Sequence, residues 1–162
     1  MATARRRDTA EAMSQESVES FKRGLEAYTR RDAQALVKEL DRTIEWHPAL
    51  QVMLGGEATV YRGHEGVREL LRDVDAALAE IHVEFSETRD PGDRVVAIGR
   101  VRTRGKASGA VTESPLGYVA DFRNGKVTRI RTYLDPEEAL EAAGLRDANA
   151  AEESRPATSA AG

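Results

Sequence analysis

Cysteine is absent from the 162 residues of this chain, which excludes disulfides, thiolate metal sites and a cysteine nucleophile. An excess of basic residues is missing too: 24 Lys and Arg stand against 28 Asp and Glu, which argues against a nucleic-acid partner. No apolar run approaches the roughly 20 residues that span a bilayer, and no apolar stretch follows the N-terminal arginines as in a secretory signal. We therefore expect an acidic, cytoplasmic protein with no membrane partner.

Both ends of the chain are poor in large apolar side chains. Residues 1–14 are small or polar apart from two methionines, and residues 147–162 carry no apolar side chain larger than alanine. Such segments cannot offset their ordering entropy by burial. We predict disordered tails at 1–14 and 147–162, and one folded domain at 15–146.

The periodicity of apolar residues changes along the folded part. Three- and four-residue spacings predict two N-terminal helices, and after a short strand at 43–47 a third helix whose apolar face runs from Val67 to Ile81. Alternation then predicts four strands joined as a meander, with Asn124-Gly125 as a type I′ turn. Asp135 and Pro136 are typical of the start of a last, short helix. This order predicts an α+β fold with an antiparallel sheet.

Four segments together resemble a known family: IEWHP, YRGHEGVRELLRDVDAAL, GDRVVAIGRVRTRGKASG and DFRNGKVTRIRTYLDPEEALEAAGL. Over residues 17–146 the chain resembles SnoaL-like proteins of the nuclear transport factor 2-like superfamily, close to bacterial members without an assigned reaction. The resemblance implies a cone, in which a curved sheet wraps around the N-terminal helices and leaves a pocket at its open end.

The resemblance leaves two function classes open. One is a small-molecule-binding protein, with the further option of a cofactor-independent isomerase, cyclase or hydrolase acting on an apolar oxygenated metabolite. The alternative is a non-catalytic dimerisation or assembly module with the same fold. Trp46 stands where ketosteroid isomerases have their basic aspartate, and Gly24 where they have an oxyanion tyrosine, so the chain is not a ketosteroid isomerase by its residues.

Three residues are candidates for catalysis. His47 is a candidate general base with a tunable pKa, although alternation with Trp46 could instead turn it to the outer face of the sheet. Tyr118 falls at or near the second oxyanion donor of the isomerases and could donate a hydrogen bond there. Asp121 would serve as an acid–base residue only if a bulge turned it inward. No His-rich spacing or glycine-rich nucleotide motif occurs, so we predict neither a metal nor a cofactor.

Aromatic residues supply the candidate ligand pocket, although they make up only 5% of the chain. Their grouping near the sheet and the loop after the first strand favours an apolar pocket, and the alternative is an ordinary core. Besides Tyr118, the candidate ligand-binding residues are Trp46, Met53, Tyr61, Phe122 and Tyr133.

Two groups of arginines each share one face of a strand: Arg100, Arg102 and Arg104, and Arg129 with Arg131. They form either an anion-recognition patch or a solvated or dimeric face on which acids pair with them. Residues 95–98, Val-Val-Ala-Ile, are apolar on both faces of their strand, which predicts a homodimer through the convex face of the sheet.

Overall fold

The elements follow the predicted order, with one additional short strand. The structure, a computed structural model, describes residues 2–49, 57–89 and 94–144, with side chains from residue 15 onward. The described helices are α1 (Ala2–Thr29), α2 (Ala33–Glu39), α3 (Gly63–Ala77) and α4 (Pro136–Ala142). The described strands are β1 (Leu40–His47), β2 (Tyr61–Arg62), β3 (Leu78–Arg89), β4 (Arg94–Gly105), β5 (Val111–Arg123) and β6 (Lys126–Tyr133).

The six described strands form one sheet in the order β2-β1-β6-β5-β4-β3. Strands β3 to β6 are consecutive antiparallel neighbours, which confirms the predicted meander. The sheet is mixed rather than wholly antiparallel, because β1 lies parallel to β6 at the other side of the meander. The predicted α+β fold is confirmed.

Local signals at turns and helix starts have the expected geometry. Asn124 and Gly125 both have positive φ, at 52° and 79°, as a type I′ turn requires. The Asp135 side chain accepts a hydrogen bond from the Glu137 N–H at 3.0 Å, and Pro136 occupies the first turn of α4. A capping side-chain oxygen accepts a hydrogen bond from a free backbone N–H of the first turn, and proline already has a helical φ. Both effects are local, so such helix starts can be predicted without tertiary information.

Two helix boundaries differ from the predictions. The third helix ends at Ala77, so Leu78 and Ile81 belong to β3 and face Gly105 and Thr103 of β4. Residues three apart point to opposite faces of a regular strand, but the register of β3 against β4 shifts between Leu78 and Glu80, so both Leu78 and Ile81 pack in the main core. Helix α1 begins at Ala2, within the segment 1–14 that we predict as a tail. The domain boundaries at 15 and 146 stay predictions, and residues 147–162 lie outside the described part.

The sheet has an inner and an outer face. Helices α1, α2 and α3 cover the inner face, where the main core lies. On the outer face α4 packs on β4 and β5, so that Val96 and Val119 are fully buried against Ala139. The chain therefore covers Val96, one of the residues on which we based the homodimer. The homodimer itself stays a prediction.

Candidate functional site

A small cavity lies between the inner face of the sheet and α1, close to the end of β1. Its volume is about 20 Å³, which is room for about one water molecule. Side chains from several elements converge on it because the inner-facing positions of β1, β4, β5 and β6 point to the same side. The lining residues are Tyr28, Trp46, Pro48, Ala49, Ile81, Val101, Leu116, Tyr118, Thr132 and Leu134.

Aromatic rings cluster around the cavity and beside it. The Tyr28 and Trp46 ring centroids are 5.1 Å apart, and Trp46 is only 1% exposed. Next to them Tyr118 contacts both Phe21, at 5.7 Å, and Phe85, at 6.0 Å, edge to face. Such tilted and edge-to-face pairs are the arrangements that aromatic quadrupoles favour. The cavity is small because these rings pack against one another.

Three hydroxyl-bearing side chains line the otherwise apolar cavity. Burial raises the pKa of Tyr28 and of Tyr118 far above the usual value for tyrosine, so both stay neutral and can donate hydrogen bonds. The buried Thr132 Oγ1 has no hydrogen-bond partner among the described residues. An unpaired hydroxyl in such a place costs stability, and an acceptor atom of a ligand or a water molecule would satisfy it.

The catalytic candidates lie on two different faces of the sheet. Tyr118 lines the inner cavity, whereas β1 turns His47 to the outer face, opposite to Trp46. Burial first, and then the charge of Arg129, lower the pKa of His47 below its usual value. Asp121 also faces outward, where its Oδ1 lies 2.7 Å from the Arg94 Nε. The pairing of β5 with β6 does shift in register between Asp121 and Phe122, but this irregularity does not turn Asp121 inward. The sheet therefore separates His47 and Asp121 from Tyr118.

The predicted ligand-binding residues are distributed in the same way. Trp46 lines the cavity, and Met53 lies outside the described residues. Tyr61 is buried in the main core and donates to the Asp73 Oδ2 at 2.5 Å. Phe122 packs half-buried against the same core, and Tyr133 packs on the outer face with Val96 and Val119. Of the five, the described structure brings one to the cavity.

Tyr28 and Thr132 line the cavity without having been predicted there. Tyr28 follows Phe21 and Leu25 at helical spacing and is buried with them in the main core, but spacing does not show that its hydroxyl reaches a cavity. Thr132 lies between the outward-facing Arg131 and Tyr133, and strict alternation along β6 could have identified it as inward-facing. The signal for Thr132 was therefore present in the sequence.

A wider groove of about 660 Å³ separates α1 from the edge strand β3. On the β3 side His82 hydrogen-bonds to Glu84 at 3.1 Å and Glu87 pairs with Arg89 at 2.6 Å, and on the α1 side the groove is lined by Lys22 and Glu26. Because this groove is open to solvent, the enclosed inner cavity is the better candidate for a selective site. Among the residues that the structure describes, no three His, Asp or Glu side chains are grouped to hold a metal, and no described helix is long and apolar enough to cross a membrane.

Comparison with known proteins places the chain among proteins of one fold. The sequence profile of the SnoaL-like domain matches residues 21–130. An NTF2-like protein of unknown function from Burkholderia pseudomallei K96243 superposes with a TM-score of 0.65 at 24% identity, over 78% of this chain and 95% of the other. TerC co-crystallised with polyporic acid superposes with a TM-score of 0.64 at 24% identity, over 78% of this chain and 96% of TerC. A protein from Shewanella denitrificans OS-217 that is described as a SnoaL-like polyketide cyclase superposes with a TM-score of 0.61 at 18% identity, over 78% of this chain and 97% of the other.

These three likenesses show the fold alone, because each identity is below 25%. Among curated proteins, none matches this chain in sequence.

Proposed function

Because the chain belongs to the family of SnoaL-like domains, we propose that it binds a small, mostly apolar molecule with an acceptor oxygen in the inner cavity. The observation that carries this proposal is the unpartnered Thr132 Oγ1 in a cavity that Tyr118 also lines. Buried hydroxyls are normally hydrogen-bonded, so a buried one that faces a cavity without a partner points to a ligand or a water. TerC, a protein of the same fold, was crystallised with a small molecule.

The lining supports binding more than general-base catalysis. So far as the structure describes it, the cavity is bordered by apolar and hydroxyl side chains, with neither a carboxylate nor an imidazole among them. A neutral tyrosine with a raised pKa, such as Tyr118, donates a hydrogen bond but does not accept a proton from a carbon acid. His47 and Tyr118 face opposite sides of the sheet, so His47 has no role at a substrate bound next to Tyr118.

A ligand larger than water must displace lining side chains. The described cavity holds about 20 Å³, whereas ligand pockets usually measure about 300–1,000 Å³. Pro48 and Ala49, directly after β1, form one border of the cavity. Binding at this site therefore costs a rearrangement, which predicts modest affinity for a simple probe.

The test compares 1-indanone with indane, which share a bicyclic skeleton and differ in one carbonyl oxygen. We expect 1-indanone to raise the melting temperature saturably, indane to raise it less, and Thr132→Val to remove the difference between the two. Thr128→Val, on the same strand, is the matched control and should keep that difference. Equal shifts with both probes in the unaltered protein, or no shift with either, would contradict the proposal.

The small size of the cavity favours a second candidate, a non-catalytic homodimeric assembly module. Rings such as Trp46 and Tyr118 fill the cone much as they would in a scaffold that encloses no ligand. Light scattering at micromolar concentration should then give twice the chain mass, together with no response to 1-indanone. A monomer there excludes this second candidate and leaves the first untouched.

A further inference from the structure

The outer-face arginines fall into two groups that differ in their partners. Three of them reach a carboxylate across the sheet: Arg94 with Asp121 at 2.7 Å, Arg104 with Glu80 at 3.4 Å, and Arg102 with Glu113 at 3.7 Å. By contrast, among the described residues no carboxylate lies within ion-pair distance of Arg129 or Arg131 on β6. The paired face, one of the two alternatives that the sequence left open, is therefore found for Arg94, Arg102 and Arg104. Arg100 on β4 also has no described carboxylate within ion-pair distance, and the anion patch stays a prediction.

Two buried nitrogen atoms near these arginines also lack partners. The Arg131 Nε and the His47 Nε2 are both buried and have no hydrogen-bond partner within the described part of the chain. Arg131 and His47 are opposite each other in the parallel register of β6 and β1, about 5 Å apart from backbone to backbone. A buried guanidinium N–H without an acceptor is costly, so the Arg131 Nε indicates an acceptor that the described chain does not supply, whereas the His47 Nε2 has the Glu45 carboxylate within 3.5 Å.

Charge around this pair is unbalanced. Two carboxylates near this pair already have basic partners: Glu45 lies 3.2 Å from Arg62 and 3.5 Å from the His47 Nε2, and Asp121, opposite Arg129 on β5, lies 2.7 Å from the Arg94 Nε. Arg129 is opposite Glu45 in the register, but its exposed side chain reaches no carboxylate among the described residues. On this part of the outer face four arginines, Arg62, Arg94, Arg129 and Arg131, therefore stand against two carboxylates, Glu45 and Asp121, which leaves positive charge for an anion.

We propose that the outer face of β1 and β6 binds a small oxyanion, a carboxylate or a phosphate, through Arg129, Arg131 and His47. Guanidinium groups offer planar pairs of N–H donors that match two oxygens of such an anion, and the imidazole N–H of His47 adds a further donor. The site lies on the opposite side of the sheet from the inner cavity and does not depend on the function proposed for that cavity.

The test titrates the full chain with inorganic phosphate at constant ionic strength, while the arginine Nε–Hε signals are followed by NMR. We expect saturable binding that shifts the Arg131 signal. Arg131→Gln should weaken binding about tenfold or more, since a hydrogen bond between charged groups is lost. Arg129→Gln should also weaken phosphate binding, and because Arg129 is exposed this substitution should not disturb the fold. Arg102→Gln is the control, because Arg102 already faces Glu113, and should bind like the unaltered protein.

A parallel titration with acetate distinguishes a preference for carboxylate from one for phosphate, and saturable binding of either anion supports the site. Equal weakening in Arg102→Gln and Arg131→Gln would show only general charge attraction and overturn the proposal. Absence of saturable binding of both anions overturns it as well. So does a dimer that Arg131→Gln dissociates in buffer free of both anions, because a second copy then supplies the missing acceptor.

Discussion

Replacing Thr132 with valine should raise stability and weaken ligand binding at the same time. Valine has nearly the same shape as threonine but carries a methyl group in place of the hydroxyl, so the packing against Tyr118 on the neighbouring strand is retained. Only the hydrogen-bonding capacity of the side chain is removed. The two effects have opposite signs because the same unpaired hydroxyl penalises the empty protein and rewards a bound acceptor.

The magnitude follows from the burial of the Thr132 Oγ1, which has no hydrogen-bond partner among the described residues. Burying a hydroxyl without a hydrogen bond costs about 1–3 kcal/mol in measured mutant series. We therefore expect Thr132→Val to raise the free energy of unfolding by about 1–2 kcal/mol. For a chain of this length, about 1 kcal/mol corresponds to roughly 2–4 °C in melting temperature, so the rise should be a few degrees.

Urea unfolding and thermal melts of Thr132→Val measure this effect, with Thr128→Val as the comparison. The Thr128 Oγ1 donates to the Asp121 carbonyl at 3.3 Å, so its replacement should instead lower stability by about 0.5–1.5 kcal/mol. Opposite signs for two identical substitutions on one strand would support the assignment. A loss of stability in Thr132→Val as well would refute the reasoning, because it would show that the Thr132 hydroxyl has a partner in the native protein.

Two further predictions concern the sheet. A Cβ on Gly99 would lie 1.8 Å from the Glu84 carbonyl oxygen, so Gly99→Ala should lower the free energy of unfolding by about 3 kcal/mol. Gly24→Ala is the control, because a Cβ on Gly24 would lie 3.7 Å from its nearest neighbour, and this variant should be neutral or stabilising. Urea titrations measure both, and similar effects of the two substitutions would contradict the prediction. Burial and then the charge of Arg129 lower the pKa of His47. The contribution of His47 to the free energy of unfolding should therefore be fully present above pH 6.5, where this imidazole is neutral in both the folded and the unfolded chain, and should fall as the pH drops below 6.5. In His47→Gln the free energy of unfolding, measured between pH 7.5 and 5.5, should fall less than in the unaltered protein. An unchanged pH dependence in this variant would contradict the prediction.

The sequence predicted elements well where the signal is local. The turn at Asn124 and Gly125 and the helix start at Asp135 depend on backbone φ and on side-chain caps within a few residues, and both were predicted correctly. The boundary between α3 and β3 depends on pairing between Leu78 and the distant Gly105, which no local pattern contains. Likewise, that β1 lies parallel to β6 follows from the path of the whole chain.

The candidate site was predicted less well, because its residues come together through the faces of strands. Whether His47 or Trp46 faces inward depends on the register of β1, and a shift by one residue reverses every assignment on the strand. Tyr61 and Tyr133 were predicted to line the pocket because they are aromatic, whereas the structure brings Thr132, a residue without an aromatic ring, to the cavity. Composition indicates which side chains could line a pocket, and topology decides which ones do.

Strand β6 carries both proposed sites, one on each face, and this arrangement has a measurable consequence. Thr132 points to the inner cavity and Arg129 to the outer face, three residues away along the strand, or about 10 Å. Substitutions at that distance without shared partners usually add within about 0.5 kcal/mol. We expect Thr132→Val combined with Arg129→Gln to show the sum of the single effects on stability, with the indanone response lost as in Thr132→Val and the phosphate affinity reduced as in Arg129→Gln. A coupling clearly above that limit, or a phosphate affinity that changes in Thr132→Val alone, would mean that the two faces communicate through the backbone of β6 and that the sites are not independent.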